Sequence, residues 1–275
     1  MNAFVMGNRF IATLSMLTFW AVIPYSVADE EETQLTYEAG GLGGKLGLGE
    51  DKRGGWPEGV ESYKVRFIRL EHGGDGWDDG MGKSGADINF LRAFAEETGF
   101  DRIADKGESH SIGLLKKYPD DGFPPFVFLT GNGDMGRVSS ADRKILREYC
   151  LKGGMLIADA GSIQFHRSFI HFMRQVFPDK PMVDIADDDM IYQLPNGFRE
   201  GAPAFWHHGG RRPLGIKHEG RWVVFYHPGD MNDAWKSKEF TEATPEMREA
   251  AIRLGINLVY YSFNHWNEAV LKSEK

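Results

Sequence analysis

Carboxylates and imidazoles follow the predicted strands of this chain, where they could act as acids, bases or metal ligands. In chain order they are His72, Asp75, Asp78, Asp134, Asp159, His227, Asp230 and Asp233. Carboxylates with one or two imidazoles suit zinc, manganese or iron, and a metal-bound water could then attack an ester, amide or glycosidic bond. The spacing matches no known metal motif, such as two histidines one helical turn apart. The residue types therefore indicate a candidate site that only the fold can assemble.

A metal-dependent hydrolase is one hypothesis for this set. Its candidate metal ligands are Asp75, Asp159, His227 and Asp230, and its candidate catalytic acids are Asp159 and Asp134. The cofactor is unknown beyond a possible divalent metal. The alternative is structural, because aspartates after strands cap helices and fix turns, and His72 and His227 can hydrogen-bond loop backbone. Acidic loops on one rim repel one another unless cations, protons or donor-rich ligands lie between them, so the cluster is better evidence than any member.

Aromatic residues beside the carboxylates indicate a different chemistry, the binding of sugars. Trp77, Trp206 and Trp235 could stack on the C–H faces of a sugar whose hydroxyls donate to aspartate and asparagine. The alternative is that Trp77 and Trp235 only pin their own loops. The predicted ligand-binding residues are His72, Asp75, Trp77, Asp78, Asn132, Asp230, Asp233 and Trp235. The expected partner is a small molecule, a glycan or a protein of the cell envelope.

The middle of the chain predicts how these residues are positioned. Phe126–Leu129 is an apolar run that is too short for a helix and ends in turn residues. Ser139, or its neighbour Ser140, can cap a helix that ends at Gly153, and Met155–Ala158 is a second apolar run. Such a strand-helix-strand unit makes its strands parallel, and ligands of these sheets bind outside the carboxyl ends of the strands. The residues at that edge are Asn132, Asp134 and Asp159.

Similar patterns extend the sheet in both directions. Val65–Leu70 predicts a first strand, whose arginines suggest a less covered position, and Arg221–His227 predicts the last clear strand. Ser84 and Asp87 suggest a capping pair for a helix at about 86–98. Two further helices are predicted over 165–177 and 245–261, and a short strand is predicted at 182–185. Two stretches are not assigned: 105–118 is ambiguous, and 195–219 has little periodicity. The fold class is α/β, with a mostly parallel sheet flanked by helices.

Length and composition limit the domain organisation. The chain has 275 residues and a net charge of −8, without a basic run, which excludes nucleic acid as an expected partner. One domain is predicted over 61–265, followed by a polar tail over 266–275. Cys150 is the single cysteine, so no intramolecular disulfide can form. The sequence does not indicate an oligomeric state.

The first residues predict export. Arg9 precedes the apolar segment Phe10–Ile23, and small residues lead to a cleavage site after Ala28. We therefore expect a signal peptide over 1–28, a glycine-rich leader over 29–60, and a periplasmic or secreted protein without a membrane span after cleavage. An uncleaved N-terminal anchor is the alternative, although the apolar segment is short for a membrane span.

Several ordered motifs also resemble a known family. They are Tyr118-Pro119, the stretch from Phe126 to Asp134, Leu146 through Gly154, Leu156 to Asp159, Gly215-Ile216, Gly220-Arg221, and Asp230 with Ala234-Trp235. Together they resemble the bacterial domain of unknown function 4159 over roughly 63–263. That family is related in fold to the class I glutamine amidotransferases and to the ThuA-like proteins of trehalose utilisation. The resemblance implies a flavodoxin-like sheet, hints at envelope assemblies, and supplies no established activity.

Two features separate the chain from its implied relatives. Asp188-Asp189-Met190 stands where relatives tend to show Asp-His-Pro, and Gly131-Asn132-Gly133 replaces Gly-His-Gly. Amidotransferase chemistry needs a cysteine on a strand-to-helix turn with a histidine nearby, whereas Cys150 lies inside a predicted helix. The leading hypothesis is therefore an exported, amidotransferase-like fold that lacks the catalytic cysteine and binds a ligand or partner in the envelope. The metal-dependent hydrolase is the alternative.

Overall fold

The protein is described from a computed structural model, which covers residues 64–100, 102–119, 122–206 and 211–273. The predicted signal peptide (1–28) and glycine-rich leader (29–60) lie outside these residues. Within them, no helix has both the length and the apolar character needed to cross a membrane.

One mostly parallel sheet forms the centre of the fold. Its strands are β1 (Ile68–Glu71), β2 (Glu108–Ser111), β3 (Phe126–Leu129), β4 (Met155–Asp159), β5 (Val183–Asp184), β6 (Leu214–His218) and β7 (Arg221–His227). Their order across the sheet is β2-β1-β3-β4-β7-β6-β5. Strands β1 to β4 and β7 run parallel, and β6 lies antiparallel between β7 and β5. Asp159 pairs in register with His227, which puts the ends of β4 and β7 side by side.

Helices cover both faces of this sheet. They are α1 (Ala86–Thr98), α2 (Ser140–Leu151), α3 (Ile163–Val176) and α4 (Pro245–Ser273). Strand β3 shows how the layers form, because Phe126 and Phe128 pack in a core with α1 and α4, whereas Val127 and Leu129 pack in a core with α2 and α3. This alternation follows from the two-residue period of a strand. The predicted α/β class is confirmed, and the arrangement is compatible with a flavodoxin-like fold.

Helix boundaries follow mostly from local signals. The Ser139 hydroxyl accepts a hydrogen bond from the backbone N–H of Asp142 at 3.0 Å and so caps α2. Helix α1 ends at Gly99, whose φ of 70° favours glycine. The predicted capping pair at Ser84 and Asp87 is wrong: α1 begins after Gly85, and Asp87 binds a buried arginine instead.

The elements that the sequence missed are polar or irregular. Strand β2 reads Glu-Ser-His-Ser and holds the sheet edge through parallel pairing with β1 rather than through apolar side chains. Strand β6 lies within the stretch that showed little periodicity. Helix α4 continues to Ser273, beyond the predicted domain end at 265, because Trp266 is buried against Phe123.

The first strand is also more covered than its arginines suggested. Arg66 and Arg69 are both buried, and each has a carboxylate partner, in Glu108 and Asp87 respectively. Burial alone would raise the pKa of Glu108, but the hydrogen bonds and charge of Arg66 outweigh burial and lower it to about 2. Pairing with carboxylates therefore allows both arginines to be buried.

Candidate functional site

Parallel strands bring the predicted site residues to one edge of the sheet. The C-terminal ends of β1, β3, β4 and β7 are neighbours there. The residues on this edge are His72, Asp75, Trp77 and Asp78 after β1, Asn132 and Asp134 after β3, Asp159 at the end of β4, and His227, Asp230, Asp233 and Trp235 at and after β7. Their contacts assign several of them to a buried network, an open cleft or a separate groove, whereas Trp235 lies in the core and Asp75 and Asp78 are exposed.

A buried arginine connects the loops of this edge. Arg69 in β1 is fully buried (0% exposed), and its guanidinium binds both carboxylate oxygens of Asp87 at 2.5–3.0 Å. The same group donates to the side-chain oxygen of Asn232 and to the carbonyl of Asp79, both at 2.5 Å. The Asn232 amide in turn donates to that carbonyl at 3.1 Å. Arg69 thus fixes the loop after β1 to the loop after β7.

Asp159 lies behind this edge and is fully buried. Its Oδ2 accepts a hydrogen bond from the backbone N–H of Asn232 at 2.6 Å, whereas its Oδ1 has no hydrogen-bond partner among the described residues. Burial raises the pKa of Asp159 to about 6, although hydrogen bonds from Thr130 and Asn232 oppose the shift. A carboxyl that is buried in this way holds a proton more readily than an exposed one.

Asp230 is the neighbouring carboxyl; it is also buried, at 7% exposed, but it lines the adjacent cleft. Its Oδ1 accepts a hydrogen bond from the backbone N–H of Asp233 at 2.8 Å. Burial, followed by the negative charge of Asp159, raises its pKa well above the ordinary range. Two carboxyls that repel each other in a poorly solvated place share fewer than two charges, so the pair favours a protonated form.

An open cleft of about 520 Å³ lies in front of Asp230. Its lining consists of Asp79, Asn132, Trp206, Asp230, Asp233, Glu239, Phe240, Thr241 and Glu242. The cleft therefore combines acids, an amide, a hydroxyl and two aromatic rings. The acids give it a negative character.

A lysine beneath the cleft orders two of these acids. Lys236 Nζ lies 2.8 Å from Asp79 Oδ1 and 2.7 Å from Asp233 Oδ1. The other oxygen of each carboxylate is also occupied, since Asp79 Oδ2 accepts from the Asn132 amide at 3.0 Å and Asp233 Oδ2 from the Thr241 hydroxyl at 2.8 Å. Burial alone would raise the pKa of Asp79, but its bonds to Lys236 and Asn132 lower it. Asp79 is thus held ionised, and both side chains have fixed orientations.

Trp206 reaches the cleft because its backbone is tied to the loop after β7. The Trp206 carbonyl accepts from the Asp230 N–H at 3.0 Å. Gly229 permits this close approach, because a Cβ there would lie 2.7 Å from that carbonyl oxygen. His227 adds a second link by donating from Nε2 to the Pro203 carbonyl at 2.9 Å.

Both predicted site histidines are engaged by backbone. His72 Nδ1 accepts from the Gly74 N–H at 3.1 Å, and its Nε2 donates to the Thr130 carbonyl at 2.9 Å. His227 makes the same pattern, with Nδ1 accepting from the Gly229 N–H at 3.0 Å. For His72 these bonds fit the Nε2–H tautomer, and burial lowers the pKa of its ring. His227 Nδ1 also lies 3.2 Å from the Gly229 carbonyl, so both nitrogens of this ring contact backbone. The contacts of both histidines therefore agree with the alternative that they hydrogen-bond loop backbone. Both ring nitrogens of His227 are occupied by backbone groups, so neither is open to a metal.

The proposed metal ligands do not form a ligand set. Asp75 is exposed, Asp159 is buried, and His227 is held by backbone. In the part of the chain that the structure describes, no three His, Cys, Asp or Glu side chains are grouped so that they could hold a metal ion. Among the described residues, the geometry thus assembles no centre for the metal-dependent hydrolase.

Three other predicted residues lie apart from the cleft. Trp235 is 2% exposed and packs in the core, its ring 4.6 Å from that of Phe90, so it cannot stack on a ligand. Asp134 lines a separate groove, and its Oδ1 accepts from the Gly136 N–H at 2.7 Å, so it does not act beside Asp159. Trp77 contributes its carbonyl to Arg69, and its ring is not part of the cleft lining.

The residues that sequence reasoning missed are the ones that organise the site. Arg69, Asp79, Asn232 and Lys236 were not among the candidates. The signal in the sequence was an arginine within an apolar strand. If such a residue is buried, its charge must find partners, so Arg69 could have indicated a network of polar residues. Asp79, by contrast, is one of three aspartates in its loop, and nothing local distinguishes it from Asp75 or Asp78.

The single cysteine does not contribute to the site. Cys150 is buried in α2, and burial raises the pKa of its thiol to about 12. A thiol in this state is a poor nucleophile. Strand β4 ends with Asp159, so no cysteine lies at the candidate site among the described residues.

Comparison with known proteins gives one family and no characterised relative. The model of the family described as "Domain of unknown function (DUF4159)" matches residues 66–263. No curated protein matches the chain.

Proposed function

The chain belongs to the family described as a domain of unknown function (DUF4159), and from this premise and the geometry of the cleft we propose that it is a binding domain. The ligand is donor-rich and neutral, of the kind that sugar hydroxyls provide. The observation that carries the proposal is an open cleft in which Trp206 stands beside fixed carboxylate, amide and hydroxyl groups.

The polar groups of the cleft suit hydroxyl donors. Asp79 and Asp233 keep their orientation through Lys236, so they present acceptor lone pairs without having to be ordered by the ligand. Preorganised acceptors of this kind favour ligands with several O–H groups. The aromatic face of Trp206 suits the C–H face of a sugar ring, which combines apolar contact with neighbouring hydroxyls.

The raised pKa of Asp230 favours its protonated form, which suits a neutral ligand. A protonated carboxyl donates one hydrogen bond and accepts others, so it can bind a hydroxyl in either sense. Because its pKa is raised, Asp230 loses this donor only when the pH rises above the raised value. We expect ligand affinity to fall as the pH increases through that value.

Binding explains the geometry better than catalysis does. Asp159, one of the two candidate catalytic acids, is fully buried, and its Oδ2 is occupied by the backbone N–H of Asn232. Asp79 and Asp233 share the ammonium group of Lys236, and the lowered pKa of Asp79 makes that carboxylate a weaker proton acceptor. The proposed activity is therefore recognition rather than bond cleavage.

Replacement of Trp206 by alanine tests this proposal. We expect Trp206→Ala to weaken binding of neutral oligosaccharides about tenfold, because it removes the stacking surface. Isothermal titration calorimetry with oligomers of glucose and of N-acetylglucosamine measures the affinity. Trp77→Ala is the matched control, since Trp77 lies at the same edge but outside the cleft. Asp230→Asn, which stays neutral, should retain binding and lose its pH dependence.

Equal affinities in the Trp206→Ala and wild-type proteins would contradict the stacking role. If neither oligosaccharide series binds the wild-type protein, the sugar assignment is wrong.

We also propose that this binding takes place outside the cytoplasm, in the periplasm or the cell envelope. The support is the pattern of Arg9, the apolar segment Phe10–Ile23 and the small residues before Asp29. N-terminal sequencing of the exported protein should give a chain that begins at Asp29. A protein that begins at Met1 or Asn2 would contradict cleavage.

A further inference from the structure

A groove of about 660 Å³ lies next to the cleft, between the loop after β3 and helix α3. The loop contributes to both depressions, with Asn132 in the cleft and the following residues in the groove. The charged or titratable residues of the groove lining are Asp134, Arg137, Arg143, Arg167 and His171. Basic groups thus dominate this groove, although the whole chain carries a net charge of −8.

The three arginines of the groove have no carboxylate partner in the described part of the chain. Two other surface arginines are paired with acids: Arg147 lies 2.6 Å from Asp179, and Arg212 lies 2.7 Å from Asp187. The groove differs in that, among the described residues, three unpaired arginines line one depression. Asp134, the acid within the groove, directs one oxygen to the backbone N–H of Gly136. Unpaired guanidinium groups in one depression create a positive potential that attracts anions.

The walls of the groove are fixed before any ligand binds. The Ser168 hydroxyl of α3 accepts from the backbone N–H of Met135 at 2.9 Å, which joins the helix to the loop. Arg143 donates from one guanidinium nitrogen to the Val138 carbonyl at 2.7 Å, which orients the group and leaves its other nitrogens available. Gly136 has a φ of 67° and packs so closely on Gly73 that a Cβ would lie 2.6 Å from its carbonyl carbon.

The groove also offers apolar surface. Phe172 is buried at its floor, Val138 is partly buried, and Ile163 is 37% exposed at its edge. This combination suits a ligand with an anionic head and a small apolar body. We propose that the groove binds a small phosphate monoester. Three guanidinium groups match its double charge, and each can bind two phosphate oxygens side by side.

The test uses the full-length protein and phenyl phosphate as the probe. Isothermal titration calorimetry at about pH 8, where a phosphate monoester carries two charges, should detect binding to the wild-type protein that weakens as salt is added. We expect Arg167→Gln to weaken binding about tenfold or more, because it removes a charge-assisted contact. Arg174→Gln, also an exposed arginine of α3 but outside the groove, should leave the affinity unchanged. Arg137→Gln, in the loop after β3, should also weaken the binding of phenyl phosphate.

Other probes distinguish a phosphate monoester site from a purely apolar site, a site for free phosphate and a membrane-binding surface. Phenol, which lacks the charge, should not bind, and inorganic phosphate, which lacks the apolar body, should bind more weakly than phenyl phosphate. Equal affinities of Arg167→Gln and wild-type protein for phenyl phosphate would overturn the proposal. So would binding to phosphatidylglycerol vesicles that depends on Arg167 without any binding of phenyl phosphate, because that result would assign the arginines to a membrane surface. The sugar-binding proposal concerns other residues and survives either result.

Discussion

Replacement of Arg69 by methionine should destabilise the protein by about 3–5 kcal/mol, because it leaves a buried carboxylate without its counter-ion. Asp87 is buried and depends on the Arg69 guanidinium for both of its oxygens. The change also removes the donors to Asn232 and to the Asp79 carbonyl. Methionine has a similar length, so little of the loss comes from an empty cavity. Urea-induced unfolding followed by circular dichroism measures the change in free energy.

A surface pair provides the matched control. Arg147→Gln breaks the pair with Asp179, an ion pair that water reaches, and should cost no more than about 1 kcal/mol. A double variant that replaces Arg69 by methionine and Asp87 by leucine should recover part of the lost stability, because no uncompensated charge then remains. If the Arg69→Met and Arg147→Gln variants lose similar free energies of unfolding, burial does not determine how much the Arg69–Asp87 pair stabilises the protein.

Replacement of Asp159 by asparagine should stabilise the protein at about pH 8, by an amount on the order of 1–3 kcal/mol. The pKa of Asp159 is about 6 in the folded protein, against an ordinary value of 3.8. The folded state therefore binds the proton more tightly than the unfolded state. Stability is greatest below the unfolded pKa and falls as the pH rises through the folded pKa, where the buried group becomes charged.

Asparagine removes this charge and keeps an oxygen that can accept from the Asn232 N–H. The stability of the variant should therefore decrease less than that of the wild-type protein between about pH 4 and pH 7. Thermal and urea unfolding across this range measure the difference. Asp75→Asn is the control, because Asp75 is exposed and should leave the profile unchanged. A variant that loses stability at high pH as steeply as the wild-type protein would place the pH response elsewhere.

The Asp159 variant also reports on the cleft. The charge of Asp159 raises the pKa of Asp230, so its removal should lower the pKa of Asp230 and shift the pH dependence of ligand binding to lower pH. The fold and the proposed sugar site are thus linked through two carboxyls, one of which is buried and one of which faces the ligand. The link is electrostatic and requires no movement of the backbone.

The cleft and the groove use opposite charges on one edge of the protein. The cleft is lined by acids, two of which bind the buried Lys236, whereas the groove is lined by three arginines. Their separation places the expected neutral and anionic ligands in different sites. The loop after β3 lies between them, so Asn132 and Arg137 test the two sites independently.

The sequence predicted the framework because its signals are local. The apolar runs at 126–129, 155–158 and 221–227 are strands, and the helix predicted at 86–98 has these bounds in the structure. Runs of apolar residues, helical spacing and glycine stops depend on neighbours within about one or two turns, so they can be read from the chain. The sequence also predicted that Asp159 and Asp230 lie at the same edge of the sheet, because the carboxyl ends of parallel strands lie on one side.

Only the tertiary structure decided which polar residues act together. Arg69 and Asn232 are far apart in sequence and lie 2.5 Å apart between their interacting atoms, and no local pattern encodes that contact. The same holds for Lys236, which selects Asp79 from three aspartates of one loop. Trp235 was predicted to bind a ligand but lies in the core, because the residues that pack against a large aromatic ring determine whether it is buried. Sequence periodicity reports which side of an element is buried, whereas hydrogen bonds and charges depend on side-chain positions that packing alone determines.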